Sequence, residues 1–255
     1  MTSRQLKTVL VTGGAQRIGA AIVRELAAHD YAVAIHASRS VDRAVALRDE
    51  IVAAGGRAAV VSGDLTDGKK RQSIIEEAAA LIGPLDVLVN NASIFRRDSI
   101  EEFDEALFDE HFEIHVKAPS ILTRDFARQL PESVSGLVVN IIDQRVWSPT
   151  PRFYSYTLSK AALYMATKTA AQALAPRIRV NAIGPGPTLP AARQTQADFE
   201  KQTAGLIMKK GADLEEFGRT IRFLHSTPSI TGQMIALDGG QHLAWQTPDV
   251  AEVVE

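Results

Sequence analysis

The sequence predicts a single α/β domain on a doubly wound, parallel, seven-stranded sheet, and three features carry that prediction. Apolar runs of strand length alternate with longer segments of helical period. No internal repeat or low-complexity linker interrupts them, and 255 residues with 45% hydrophobic content suit one compact core.

Taken in order, the first strand runs from Thr8 to Val11, and helical spacing follows from Ile18 to Ala28. The next strands, Tyr31 to His36 and Ala58 to Ser62, are separated by a helix from Val41 to Ala54. A helix from Arg71 to Ile82 leads to a strand from Val87 to Asn90. Two helices, Phe103 to His115 and Ser120 to Gln129, precede the strand Leu137 to Ile142. Tyr156 to Leu174 continues with helical period, and the strands Ile178 to Ile183 and Met234 to Leu237 complete the set. Gly184, Pro185, Gly186, Pro187 and Pro190 mark a loop leaving the sixth strand, a candidate lid. The acidic tail from about residue 246 to 255 is expected to fray.

Composition narrows the function classes. With no cysteine there are no disulfides or thiolate metal ligands, and no metal site is expected. Met1 to Thr8 lacks a secretory apolar stretch, so a cytoplasmic location is the expectation. Lys and Arg are scattered, and the net charge is -2, which argues against nucleic acid or a membrane and for a small-molecule partner.

The first chemical signal is Thr12-Gly13-Gly14-Ala15-Gln16-Arg17-Ile18-Gly19, placed between a strand and a helix. Glycines there let the backbone turn tightly and approach a pyrophosphate at the positive helix end, as in a Rossmann-like fold. The second strand ends in His36-Ala37-Ser38-Arg39-Ser40, with no carboxylate to grip two ribose hydroxyls. Arg39 can instead give a 2'-phosphate a charge-assisted fork, with Ser38 and Ser40 as hydroxyl donors, which predicts NADP(H) as cofactor. Asp64 is a candidate acceptor for the adenine amino group, with helix capping through Thr66 or Asp67 as the alternative.

Tyr156-Thr157-Leu158-Ser159-Lys160 puts Tyr156 and Lys160 on one helical face, where the ammonium is expected to lower the phenol pKa towards the working range.

With these motifs in register, together with Asn90-Asn91-Ala92, Asn181 to Gly186 and Thr231-Gly232 before Asp238-Gly239-Gly240, the chain resembles the short-chain dehydrogenase/reductase family. The resemblance implies that Gly13, Arg17, Ile18, Gly19, Leu65, Asn90, Ala92, Lys160, Pro185, Gly186 and Thr188 contact the cofactor. It also implies that Ile183 and Thr188 approach the nicotinamide carboxamide, and that helical faces form a homotetramer.

Three departures from the general pattern are informative. Arg17 replaces the usual middle glycine, Ser93 and Phe95 follow Asn90-Asn91-Ala92, and Asp143 stands where the family has its catalytic serine. Together these resemble the pteridine reductases and bacterial dihydromonapterin reductases. That subgroup implies Arg17, Ser93, Phe95, Asp143 and Tyr156 around a pterin. The chemistry agrees, because a carboxylate would repel the oxyanion of a ketone but can bond the donor edge of a pterin or pass a proton to an imine nitrogen. Phe95 then supplies one wall of a flat pocket, or packs in the core.

His115 replaces the asparagine that in the family anchors a water towards the active-site lysine; it either substitutes in that relay or is a satisfied buried side chain. The sequence thus reads as an NADPH-dependent reductase of a dihydropterin, such as dihydromonapterin or dihydrobiopterin, or of dihydrofolate. The alternatives are a reductase of 3-oxoacyl thioesters or sugar-type ketones, and a non-catalytic NADP-binding regulator.

Overall fold

The computed structural model describes residues 6–191 and 194–247. Seven parallel strands form one sheet in the order β3-β2-β1-β4-β5-β6-β7. They are β1 (Lys7–Val11), β2 (Tyr31–Ala37), β3 (Arg57–Ser62), β4 (Val87–Asn90), β5 (Gly136–Ile141), β6 (Ile178–Pro185) and β7 (Met234–Leu237). Each predicted strand is present, with ends displaced by no more than two residues.

The sheet is parallel because helical crossovers return the chain to the same end of the sheet before each new strand, and both faces are consequently covered. Alternation along the strands divides the core. Val9, Val11, Val33, Ile35, Val87 and Val89 pack against α1 (Arg17–Ala27), α2 (Val41–Ala53) and α8 (Leu214–Ser226). Leu10, Ala32, Ala34, Leu88 and Val138 face the opposite layer, built from α3 (Gly68–Ile82), α5 (Ala118–Gln129) and α6 (Tyr154–Leu174). Successive side chains point to opposite faces, so runs apolar at every position are what a doubly covered sheet requires.

Three features depart from the sequence expectation. First, α4 (Glu105–Phe112) passes through a π-helical turn, Glu113–Lys117, directly into α5. Pro119 has no N–H for the carbonyl of His115, so the regular ladder cannot run through this point. Second, α7 (Gln196–Ala204) lies outside the predicted set of helices; a Thr195–Asp198 capping box starts it, but it buries no side chain. Third, α8 lies outside the predicted set, although its Asp213–Glu216 capping box and buried Phe217, Ile221 and Leu224 give it a strong helical signature.

No helix among the described residues is long and apolar enough to cross a membrane. From residue 248 the predicted frayed tail lies outside the described residues, as do residues 192–193 of the lid segment and residues 1–5.

Candidate active site

Strand order reverses between β1 and β4, and this switch point opens a crevice at their carboxyl ends. Thr12, just past β1, ties the two together. Its hydroxyl accepts from the N–H groups of Asn91 (2.9 Å) and Ala92 (3.0 Å), while the Asn91 amide donates to the carbonyls of Thr12 and Gly13. Gly13 has φ +60°, and Gly19 packs so closely that a Cβ would stand 2.2 Å from the Gly13 carbonyl oxygen. These two glycines let the N-terminus of α1 come up against the loop, leaving its N–H groups for an anion.

Arg17 starts α1 in the left-handed region, φ 53°. Its guanidinium donates to the Pro190 carbonyl at 3.1 Å, so it spans from the glycine loop to the segment following β6. In that segment the Thr188 hydroxyl donates to the Gly186 carbonyl at 3.1 Å, and a Cβ on Gly186 would lie 2.6 Å from the Asp238 Cα. Ile183, by contrast, is fully buried in the core, so its side chain does not reach the groove as expected.

A cavity of about 500 Å³ opens beside the glycine loop, with Gly13, Ser38, Arg39, Ser40, Asp64, Leu65, Ala92 and Ser93 among its walls. Ile18, Gly19, Asn90, Pro185, Gly186 and Thr188 are not among them. Asn90 turns inward instead, where it is buried and donates to Asn140 at 2.9 Å. Arg39 makes no hydrogen bond or ion pair among the described residues, and Ser38-Arg39-Ser40, directly after β2, holds no carboxylate. This donor set fits a 2'-phosphate. Asp64 accepts from the N–H and hydroxyl of Thr66, which hold its carboxyl below the usual range, while Asp67 caps α3.

His36 is a part of this site that the sequence does not single out. Its Nδ1 accepts from the Gly13 N–H at 3.3 Å and its Nε2 meets the Gly63 carbonyl at 3.0 Å, so the imidazole braces the glycine loop against the end of β3. Burial pushes its pKa down to about 4 and keeps it neutral, as that acceptor role requires.

On the other side of the crevice Tyr156 and Lys160 occupy one face of α6, both buried. The Tyr156 hydroxyl donates to Asp143 Oδ2 at 2.9 Å. Lys160 Nζ donates to the Ile141 carbonyl at 2.8 Å and lies 5.8 Å from the centre of the Tyr156 ring. The expected lowering of the phenol pKa by Lys160 does not hold here: burial first, and then the Asp143 charge and hydrogen bond, push it well above 10. Burial also draws Lys160 down to about 8, against the attraction of Asp143.

Asp143 is held from both sides, since Oδ1 accepts from the backbone N–H of Arg145 at 2.8 Å and Oδ2 from the Arg145 guanidinium at 3.2 Å. Phe95 is 43% exposed, which excludes core packing. It stacks on Phe153 with centroids 4.2 Å apart and meets the edge of Tyr156 at 4.8 Å. Phe153 enters α6 at φ 61°, a left-handed conformation uncommon for an aromatic residue. Nothing local in the sequence announces the pair, because the stack joins distant segments.

His115 lies within the π-helical turn beneath Tyr156. Its Nε2 accepts from the Ile94 N–H (3.3 Å) and meets the Ser93 hydroxyl (2.9 Å), while its Nδ1 meets Ser159 (2.8 Å). It has no hydrogen bond to Lys160. Burial and the Lys160 charge hold its pKa well below 6.5. The geometry favours the reading of a satisfied buried side chain, one that supports the Ser93–Phe95 segment from below.

The family model for short chain dehydrogenases matches residues 7–201. FolM alternative dihydrofolate reductase 1 from Brucella suis, crystallised with NADP, is similar in structure with a TM-score of 0.94 and 56% identity, covering 96% of this chain and 98% of its own. A blue fluorescent protein from a metagenomic library, crystallised with NADPH, superposes with a TM-score of 0.84 at 30% identity over 92% of this chain and 97% of its own. The 3-oxoacyl-(acyl-carrier-protein) reductase of Staphylococcus aureus is 30% identical over 246 residues, covering 94% of this chain and 100% of the relative. With its fold, glycine loop and Tyr156–Lys160 pair in the same chain, the protein belongs to the short-chain dehydrogenase family.

Proposed function

We propose that this protein is an NADPH-dependent pterin reductase, converting a dihydropterin, dihydrofolate included, to its tetrahydro form. The observation that carries the proposal is the carboxylate of Asp143 on the Tyr156 hydroxyl, 2.9 Å away, beside the exposed ring of Phe95. A ketone reductase needs a neutral donor at that place; a ring bearing N–H groups is served by an acceptor. The Brucella protein named as a dihydrofolate reductase, 56% identical, supports the same reading.

Bound along the crevice, NADPH supplies the hydride. Arg39, Ser38 and Ser40 hold its 2'-phosphate, the Gly13–Gly19 loop its pyrophosphate, Asp64 and Leu65 its adenine, and Lys160 its nicotinamide ribose. The substrate ring lies against Phe95, with Ser93 alongside. Hydride adds to the carbon of the C=N bond and a proton adds to the nitrogen. Tyr156, kept protonated by burial and Asp143, donates that proton. Lys160, with a pKa drawn to about 8, carries a proton that can restore the phenol.

Oxidation of NADPH with a panel of dihydropterins, dihydrofolate, 3-oxoacyl thioesters and simple ketones tests the proposal. Turnover of a dihydropterin or dihydrofolate is expected. The staphylococcal relative makes carbonyl reduction the competing outcome, and turnover confined to thioesters or ketones overturns the pterin assignment.

A further inference from the structure

The guanidinium of Arg145 touches both the acid–base centre and the aromatic wall. Nη1 donates to Asp143 Oδ2, and the guanidinium carbon stands 5.4 Å from the centre of Phe95 and 5.3 Å from that of Phe153. A guanidinium carries five N–H donors. Among the described residues only Nη1 is engaged, although the side chain is just 20% exposed, and Nε is buried with no partner. Unsatisfied donors in a largely buried site are costly to keep unless a ligand supplies the acceptor.

We propose that Arg145 is a specificity-determining residue of the site, positioning Asp143 and offering its free donors to the ring carbonyl of the heteroaromatic substrate stacked on Phe95. The inference rests on the pterin reading and deepens it. A pterin has a donor edge, the ring N–H with its amino group, and an acceptor, the carbonyl oxygen. Asp143 and Arg145, adjacent and opposite in charge, match the two. Cation–π contact with Phe95 and Phe153 holds the guanidinium beside the aromatic wall. Its charge also acts to lower the Tyr156 pKa, against the larger effect of Asp143.

The test uses the full-length enzyme with Arg145→Lys and Arg145→Ala. With 7,8-dihydrobiopterin, KM should rise tenfold or more in both variants while NADPH affinity, read by fluorescence, stays unchanged; added guanidine should restore part of the Arg145→Ala activity. Inhibition by 6-methylpterin and by 2-amino-6-methylpteridine, which lacks the carbonyl and the ring N–H that goes with it, completes a double-mutant cycle. The wild type should favour the carbonyl compound, and both variants should lose part of that preference, the remainder being the ring N–H that Asp143 accepts. A role confined to packing would leave the preference intact, and such a result overturns the proposal. If Arg145→Ala does not fold, Arg145→Lys decides alone. Wild-type turnover of no dihydropterin or dihydrofolate sinks the pterin reading and this inference with it; normal turnover with an indifferent Arg145→Lys sinks this inference only.

Discussion

Tyr156 gives its hydroxyl proton to a hydrogen bond with Asp143, 2.9 Å away, while Lys160 is directed at the Ile141 carbonyl. The phenol therefore rests as an acid, and reduction of a C=N bond needs an acid at that place. Tyr156→Phe keeps the ring and its edge contact with Phe95 but has no proton to give. Steady-state turnover should fall by a factor on the order of a hundred or more, with NADPH affinity within about twofold of wild type. Retained turnover would exclude Tyr156 as the donor.

Much of this was legible in the sequence because it is local. Each strand is a mostly apolar run, and Tyr156 and Lys160 lie one helical turn apart on α6. Asp143 could be placed because β5 and the start of α6 fix its register. The stack of Phe95 on Phe153 was not legible, since it joins the loop after β4 to the start of α6. The Tyr156 pKa could not be read either: it depends on burial and on which oxygen Tyr156 meets, and sequence spacing reports only the nearby Lys160. Helix α7 is the opposite case, a helix without a buried face and so without a periodicity to read.

Arg39 lines the cavity and makes no hydrogen bond or ion pair among the described residues, so its guanidinium donors are available to a 2'-phosphate. Arg39→Ala should raise KM for NADPH by roughly ten- to a hundredfold and leave KM for NADH nearly unchanged, because only NADPH loses a charge-assisted fork. Equal effects on both cofactors would place Arg39 outside the phosphate site.

Burial lowers the pKa of His36, His111 and His225 to about 4, and that of His115 well below 6.5. For a group neutral in the fold and cationic when unfolded, the unfolded chain binds the extra proton between the two pKa values. Stability contributed by these neutral histidines is thus full above about pH 6.5 and is lost as pH falls towards 4. Denaturant unfolding at pH 7, 6 and 5 should show a loss of up to about 1.4 kcal/mol per pH unit for each histidine below pH 6. Substituting His225, remote from the crevice, with Gln should make that slope shallower. A slope identical to wild type would mean that His225 is not buried in neutral form.

The last prediction separates pterin from ketone chemistry at Asp143, which is buried and held by Tyr156 and Arg145. Asp143→Ser restores the neutral hydroxyl of the wider family and removes the carboxylate's hold on Tyr156. Because Asp143 raises the Tyr156 pKa both by its charge and by its hydrogen bond, the variant's phenol should titrate lower, shifting the basic limb of the pH profile to lower pH. Dihydropterin turnover should fall by roughly ten- to a hundredfold, the scale of a lost hydrogen bond to a charged group, since the ring loses its acceptor. Turnover of a 3-oxoacyl thioester or simple ketone should hold steady or rise, because a serine hydroxyl can donate to the oxyanion that a carboxylate repels. The two substrates should therefore move in opposite directions on one substitution, with NADPH affinity as the control for folding. If the serine variant reduces dihydropterins as well as the wild type does, the carboxylate takes no part in the chemistry, and the physical argument for a pterin over a carbonyl substrate falls.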